Sequence, residues 1–114
     1  MNYINYYKQM RAIIIYDLPM ISDEDRHIYN QFHNRLKGLG FYMLQYSVYT
    51  KTIQNDTSYN QYYNKLQKIV PKRGNIILLR LTEKQFQDMV YLRGEKNKQE
   101  MIVGNNDLIF FKGN

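Results

Sequence analysis

From Arg11 to Pro19 the chain reads Arg-Ala-Ile-Ile-Ile-Tyr-Asp-Leu-Pro. An unbroken run of apolar and β-branched residues, closed by a proline that cannot join a ladder, restricts this stretch to a buried strand. Asp17 stands at the carboxyl end of that strand. Strand ends hold side chains rigidly at an open edge, which is where an α/β protein often keeps its chemistry. A second β segment follows at Gly40–Lys51, Gly-Phe-Tyr-Met-Leu-Gln-Tyr-Ser-Val-Tyr-Thr-Lys.

The segments between and after these two complete a small α/β domain. Ser22 followed by Asp25 is a capping-box pattern, and Asp23, Glu24 and Asp25 sit where a helix dipole favours negative charge. Ile28, Phe32, Leu36 and Leu39 then form one apolar stripe, and Gly38 and Gly40 stop the helix. The β segment is long for one strand, so a bend near Gln45–Ser47 is predicted. Ile53–Thr57 reads as a polar turn. Helix two is predicted to open at Ser58, with Tyr59, Tyr62, Tyr63, Leu66, Ile69 and Val70 on its apolar side, and to break at Pro71–Gly74. Asn75–Leu81 is a strand, Thr82–Gln85 caps a helical turn, and Asp107–Lys112 reads as a last strand. The order predicts an α/β (α+β) fold: a ferredoxin-like βαββαβ sandwich with an extra C-terminal strand. Residues 1–9 read as an N-terminal extension and 10–114 as one domain.

Charge narrows the partners. The 114 residues carry a net +6. Between Arg26 and Thr82 there are nine Lys or Arg and one acid, Asp56, which gives +8; the rest of the chain holds seven basic and nine acidic residues, which gives −2. A concentrated positive field favours a polyanion, most simply nucleic acid. Lys65, Lys68, Lys72, Arg73 and Arg80 are the predicted contacts to its backbone. The chain has no cysteine, which removes disulfides, thiolate metal sites and a Cys nucleophile, and fits a cytoplasmic protein. No apolar stretch approaches the roughly 18 residues of a membrane span, and the Tyr- and Asn-rich start lacks the core of a signal peptide.

Candidate chemistry converges on one residue. Asp17 reads as a carboxylate holding Mg²⁺, a cation that prefers oxygen ligands, or as an Asx-turn cap before Pro19; both readings stand. One acid per chain is too few for a paired-metal hydrolase. Two Asp17 side chains facing each other across a dimer would share one metal. Asp23, Glu24 and Asp25 are explained by their helix-start position. His27 and His33 are six apart on one helix and do not share a face. No phosphate-binding glycine loop and no Ser-His-Asp grouping is present. Among the 12 tyrosines, Tyr42, Tyr46 and Tyr49 of the second β segment are expected at an interface rather than stacked on bases.

Several segments resemble one family. Met10–Pro19, Gly38–Tyr49, Pro71-Lys-Arg-Gly74, Leu81–Phe86 and Gly94-Glu95 are similar to CRISPR-associated protein 2, most closely the type II-A members. The resemblance implies a ferredoxin-like fold and a symmetric homodimer in which each C-terminal strand joins the partner's sheet. It implies a double-stranded-DNA-binding structural subunit of the spacer-acquisition complex, bridging dimers of the CRISPR-associated integrase (protein 1) along the protospacer duplex. The alternative it implies is an Mg²⁺-dependent endonuclease on RNA or DNA, with Asp17 as the metal-binding and catalytic residue of a paired site.

Overall fold

The computed structural model describes residues 9–94. Its elements run β1 (Met10–Asp17), α1 (Asp23–Gly38), β2 (Tyr42–Gln45), β3 (Val48–Ile53), α2 (Asp56–Ile69), β4 (Asn75–Thr82) and a short α3 (Glu83–Gln87). The strands form one sheet in the order β2-β3-β1-β4, with every neighbouring pair antiparallel. This is the predicted ferredoxin-like arrangement. The expected last strand, Asp107–Lys112, lies outside the described residues, as do residues 1–8 of the expected extension.

β1 lies inside the sheet, and its alternation divides the molecule. Ala12, Ile14 and Tyr16 point to the helical layer, where they meet Phe32 and Leu36 of α1, Phe41 just before β2, Tyr49 of β3 and Leu66 of α2 in one buried cluster. The Tyr16 and Phe32 rings meet edge to face at 4.9 Å. Arg11, Ile13, Ile15 and Asp17 point to the opposite face. There α3 covers one end only, and Ile15, Ile77 and Leu79 remain exposed.

The α1 capping box forms as predicted. Ser22 accepts from the Asp25 amide, and the Asp25 carboxylate accepts from the Ser22 amide. The predicted bend in the second β segment is a two-residue turn at Tyr46–Ser47, with Ser47 at φ +64. Helix two corrects the prediction: it begins at Asp56, not Ser58. The Asn55 side chain accepts from the Ser58 amide at 2.8 Å, so Asn55 is the cap and Ser58 already lies within the first turn. Tyr63, expected on the apolar side, is exposed. The tyrosine expectation also needs correction. Tyr49 is in the core, because its register with Ile14 turns it toward the helices, and the Tyr42 hydroxyl accepts from Arg11 at 2.8 Å. Only Tyr46 of the three stands free at a turn.

His33 of α1 packs edge-on against Tyr49 and touches its hydroxyl through Nδ1. Burial pushes its imidazole below the ordinary pKa of 6.5, and the Lys37 charge adds to the effect. The folded chain thus holds fewer protons than the unfolded chain just below pH 6.5. The stabilisation is complete above the unfolded value and is lost as pH falls through the folded one. Thermal melts from pH 7.5 down to pH 5 should show a falling midpoint, and His33→Gln should flatten that fall. An equal fall in both proteins would assign it to other groups.

Candidate metal and nucleic-acid sites

Asp17 ends β1 opposite Asn75 of β4, exposed, on the sheet face turned away from the helices. Its surroundings are held by two arginines. Arg26 donates to the carbonyls of Met20 (3.3 Å) and Ile21 (3.1 Å) and pairs with Asp23, which fixes the β1–α1 loop. Arg73, from the turn between α2 and β4, pairs with Asp25 and reaches Glu24 at 3.2 Å. Asp25 is buried, and bonds from the Ser22 amide, the Ser22 hydroxyl and Arg73 hold its carboxyl below the usual range, partly offset by burial. Gly74 lies against this loop: a Cβ there would stand 2.3 Å from the Asp17 carbonyl oxygen.

Among the described residues, no three His, Asp or Glu side chains come together as a metal cluster. Asp23, Glu24 and Asp25 serve the helix start and its arginines, in agreement with their position in the sequence. Among the described residues, Asp17 is therefore the one carboxylate at the end of β1. Mg²⁺ asks for several oxygen ligands and keeps waters; Asp17 is an oxygen donor of the right kind, but alone it supplies too few. The adjacent Ile15, Ile77 and Leu79 leave that face of the sheet with exposed apolar side chains.

The five predicted nucleic-acid contacts differ in their surroundings. Lys65 and Lys68 are exposed on α2, and Lys72 is exposed in the turn that follows. Arg73 is committed to the acidic start of α1. Arg80 lies in β4, 3.4 Å from Asp56 and 4.7 Å above the Tyr59 ring. Sequence reasoning left out Lys51. Its place on β3, opposite Ala12, turns it to the helical face, and alternation along β3 was the signal that would have found it. No described helix is long and apolar enough to cross a membrane.

A family model described as CRISPR associated protein Cas2 matches residues 10–89. A CRISPR-associated endoribonuclease Cas2 from Streptococcus mutans serotype c is 40% identical over 104 residues, covering 91% of this chain and 94% of that protein. The protein of the same name from Ligilactobacillus salivarius is 40% identical over 90 residues, 79% of this chain and 89% of the relative. One from Campylobacter jejuni is 34% identical, covering 91% of this chain and 73% of its own length. Among solved structures, one titled "Crystal structure of cas2" superposes with a TM-score of 0.54 at 19% identity, over 77% of this chain and 90% of that one.

Proposed function

Because this chain belongs to the CRISPR associated protein Cas2 family, we propose that it is a duplex-DNA-binding structural subunit of a CRISPR spacer-acquisition complex, a homodimer that bridges integrase subunits. The observation that carries this reading is uncompensated positive charge. Lys37, Lys51, Lys65, Lys68 and Lys72 have no carboxylate partner among the described residues. Cations without an acidic partner are free to bind phosphate backbones without reading sequence. The exposed Ile15, Ile77 and Leu79 support the dimer, since a second copy would remove them from water.

A second reading is favoured by Asp17 itself and by the relatives, which carry the name endoribonuclease. On this reading Asp17 from each copy would hold one Mg²⁺ at the dimer interface. Such an ion, when bound, would stabilise charge on a phosphodiester and acidify a bound water. The chain's own part is to hold the carboxylate still: Asp17 ends a strand paired along its whole length with β4, and Gly74 and Arg73 keep the neighbouring turn against it.

Spacer integration in vitro separates the two. The assay uses the partner integrase, a short duplex and a repeat-bearing target, with wild type, Asp17→Ala or no added protein. The scaffold reading expects full integration with Asp17→Ala and none when the protein is omitted. RNA cleavage in Mg²⁺, if wild type has it, should fall by at least about 100-fold in Asp17→Ala and with chelator. Loss of integration in a dimeric Asp17→Ala protein would overturn the scaffold reading.

A further inference from the structure

Two lysines from different elements converge on one aromatic ring in the helical layer. Lys51 of β3 and Lys65 of α2 hold their ammonium nitrogens 5.1 and 4.9 Å from the centroid of Tyr62, which keeps them within about 10 Å of each other. The ring is itself anchored, meeting buried Phe41 edge to face at 6.3 Å. Lys51 reaches this position past Gly40, where a Cβ would come within 2.7 Å of its Nζ. Neither ammonium has a carboxylate partner among the described residues.

We infer that Lys51, Tyr62 and Lys65 form a pre-set phosphate-binding station for duplex nucleic acid, on the face of the sheet opposite to Asp17. The inference rests on the nucleic-acid reading above and specifies where the backbone lies. Three properties carry it. A lysine free in solvent must lose its rotamer freedom when it meets a phosphate; here the ring already confines both side chains, so less is lost on binding. The upper bound of about 10 Å on their separation allows both ammonium groups to reach phosphates of one strand, which B-DNA presents about every 3.4 Å of axis. The charge is available, whereas Arg73 and Arg80 are already paired with acids. Lys37 lies in the last turn of α1, and its carbonyl accepts from the amide of Gly40, the residue beside which Lys51 lies.

Duplex affinity measured against salt tests this directly. Wild type is compared with Lys51→Gln/Lys65→Gln and with Lys84→Gln/Arg93→Gln, a pair outside α1, α2 and the four strands that lowers the net charge equally. Each lost phosphate contact makes the log–log slope shallower by about one. The Lys51→Gln/Lys65→Gln protein should therefore lose about two from the slope, with weaker binding to every sequence, and the matched pair should lose much less. Lys51→Arg/Lys65→Arg should restore the slope, which guards against a folding defect. Tyr62→Leu should weaken binding while leaving the slope in place, because the charges persist but their confinement does not. A slope unchanged in Lys51→Gln/Lys65→Gln, or an equal loss in the matched pair, overturns the station alone. A wild-type protein with no duplex affinity at low salt overturns it together with the reading it rests on.

Discussion

Arg11→Met should destabilise the protein by about 3–5 kcal/mol. The Arg11 guanidinium is 1% exposed and binds Glu83 through two parallel bonds, 3.1 Å from Nε and 2.8 Å from the terminal nitrogen. Its remaining nitrogen donates to Tyr42, and its plane lies 4.0 Å over the Phe86 ring. One residue thus ties β1, β2 and α3 together on the sheet face that the longer helices do not cover. Removing the arginine leaves Glu83 buried, with Gln87 as a donor at 2.6 Å but no opposite charge in its place. Against a typical total of roughly 5–15 kcal/mol, that loss is large. For a domain this size it corresponds to a fall in Tm of at least about 12 °C. Arg11→Leu/Glu83→Leu should recover most of it, because the gain from a buried pair is nearly cancelled by desolvation of both ions. Denaturant unfolding of the two variants decides the matter: a cost below about 1 kcal/mol for Arg11→Met would mean that water reaches the pair.

Gly74→Ala should cost about 2–4 kcal/mol and displace the end of β1. Two effects act together. Gly74 has φ +73, a conformation that penalises any Cβ. The added carbon would also stand 2.3 Å from the Asp17 carbonyl oxygen and 3.2 Å from the Leu18 Cα, both backbone atoms that cannot swing aside. Gly38→Ala is the control. It ends α1 with nothing within 4 Å of a new Cβ, so the change should be neutral or stabilising by up to about 1 kcal/mol. Equal stability of Gly74→Ala and wild type in thermal melts would show that the turn relaxes freely and does not hold Asp17.

The parts of this fold legible in the sequence are those governed by local chemistry. The β1 run, the Ser22–Asp25 capping box and the Thr82–Gln85 cap each depend on neighbours a few residues away, and all three form. The start of α2 was misjudged because Ser58 and Asn55 are both good caps; the more N-terminal one prevails once β3 extends to Ile53. The expectation of Asp17 at a strand end agrees with its place at the end of β1, although the Gly74 turn packed against it was not foreseeable from local pattern. The charged residues were less so. Composition marks Arg73 and Arg80 as basic, but not that Arg73 meets Asp25 across 48 positions or that Arg80 meets Asp56. Long-range pairing of this kind decides which cations stay available, and it is invisible to charge counting. The Arg11–Glu83 bond, 72 positions apart, escaped for the same reason.

The sheet order has a consequence for synthesis. β1 is the first of the four strands to leave the ribosome, yet its partners are β3 and β4, and the β4 ladder joins Asp17 to Asn75. At roughly 5–20 residues per second, several seconds pass before that second flank exists. Through that interval Ala12–Ile15 is a nascent apolar segment with no ladder until β3 emerges and only one until β4 does, and a slow codon placed between β3 and β4 would lengthen its exposure to chaperones and to other nascent chains.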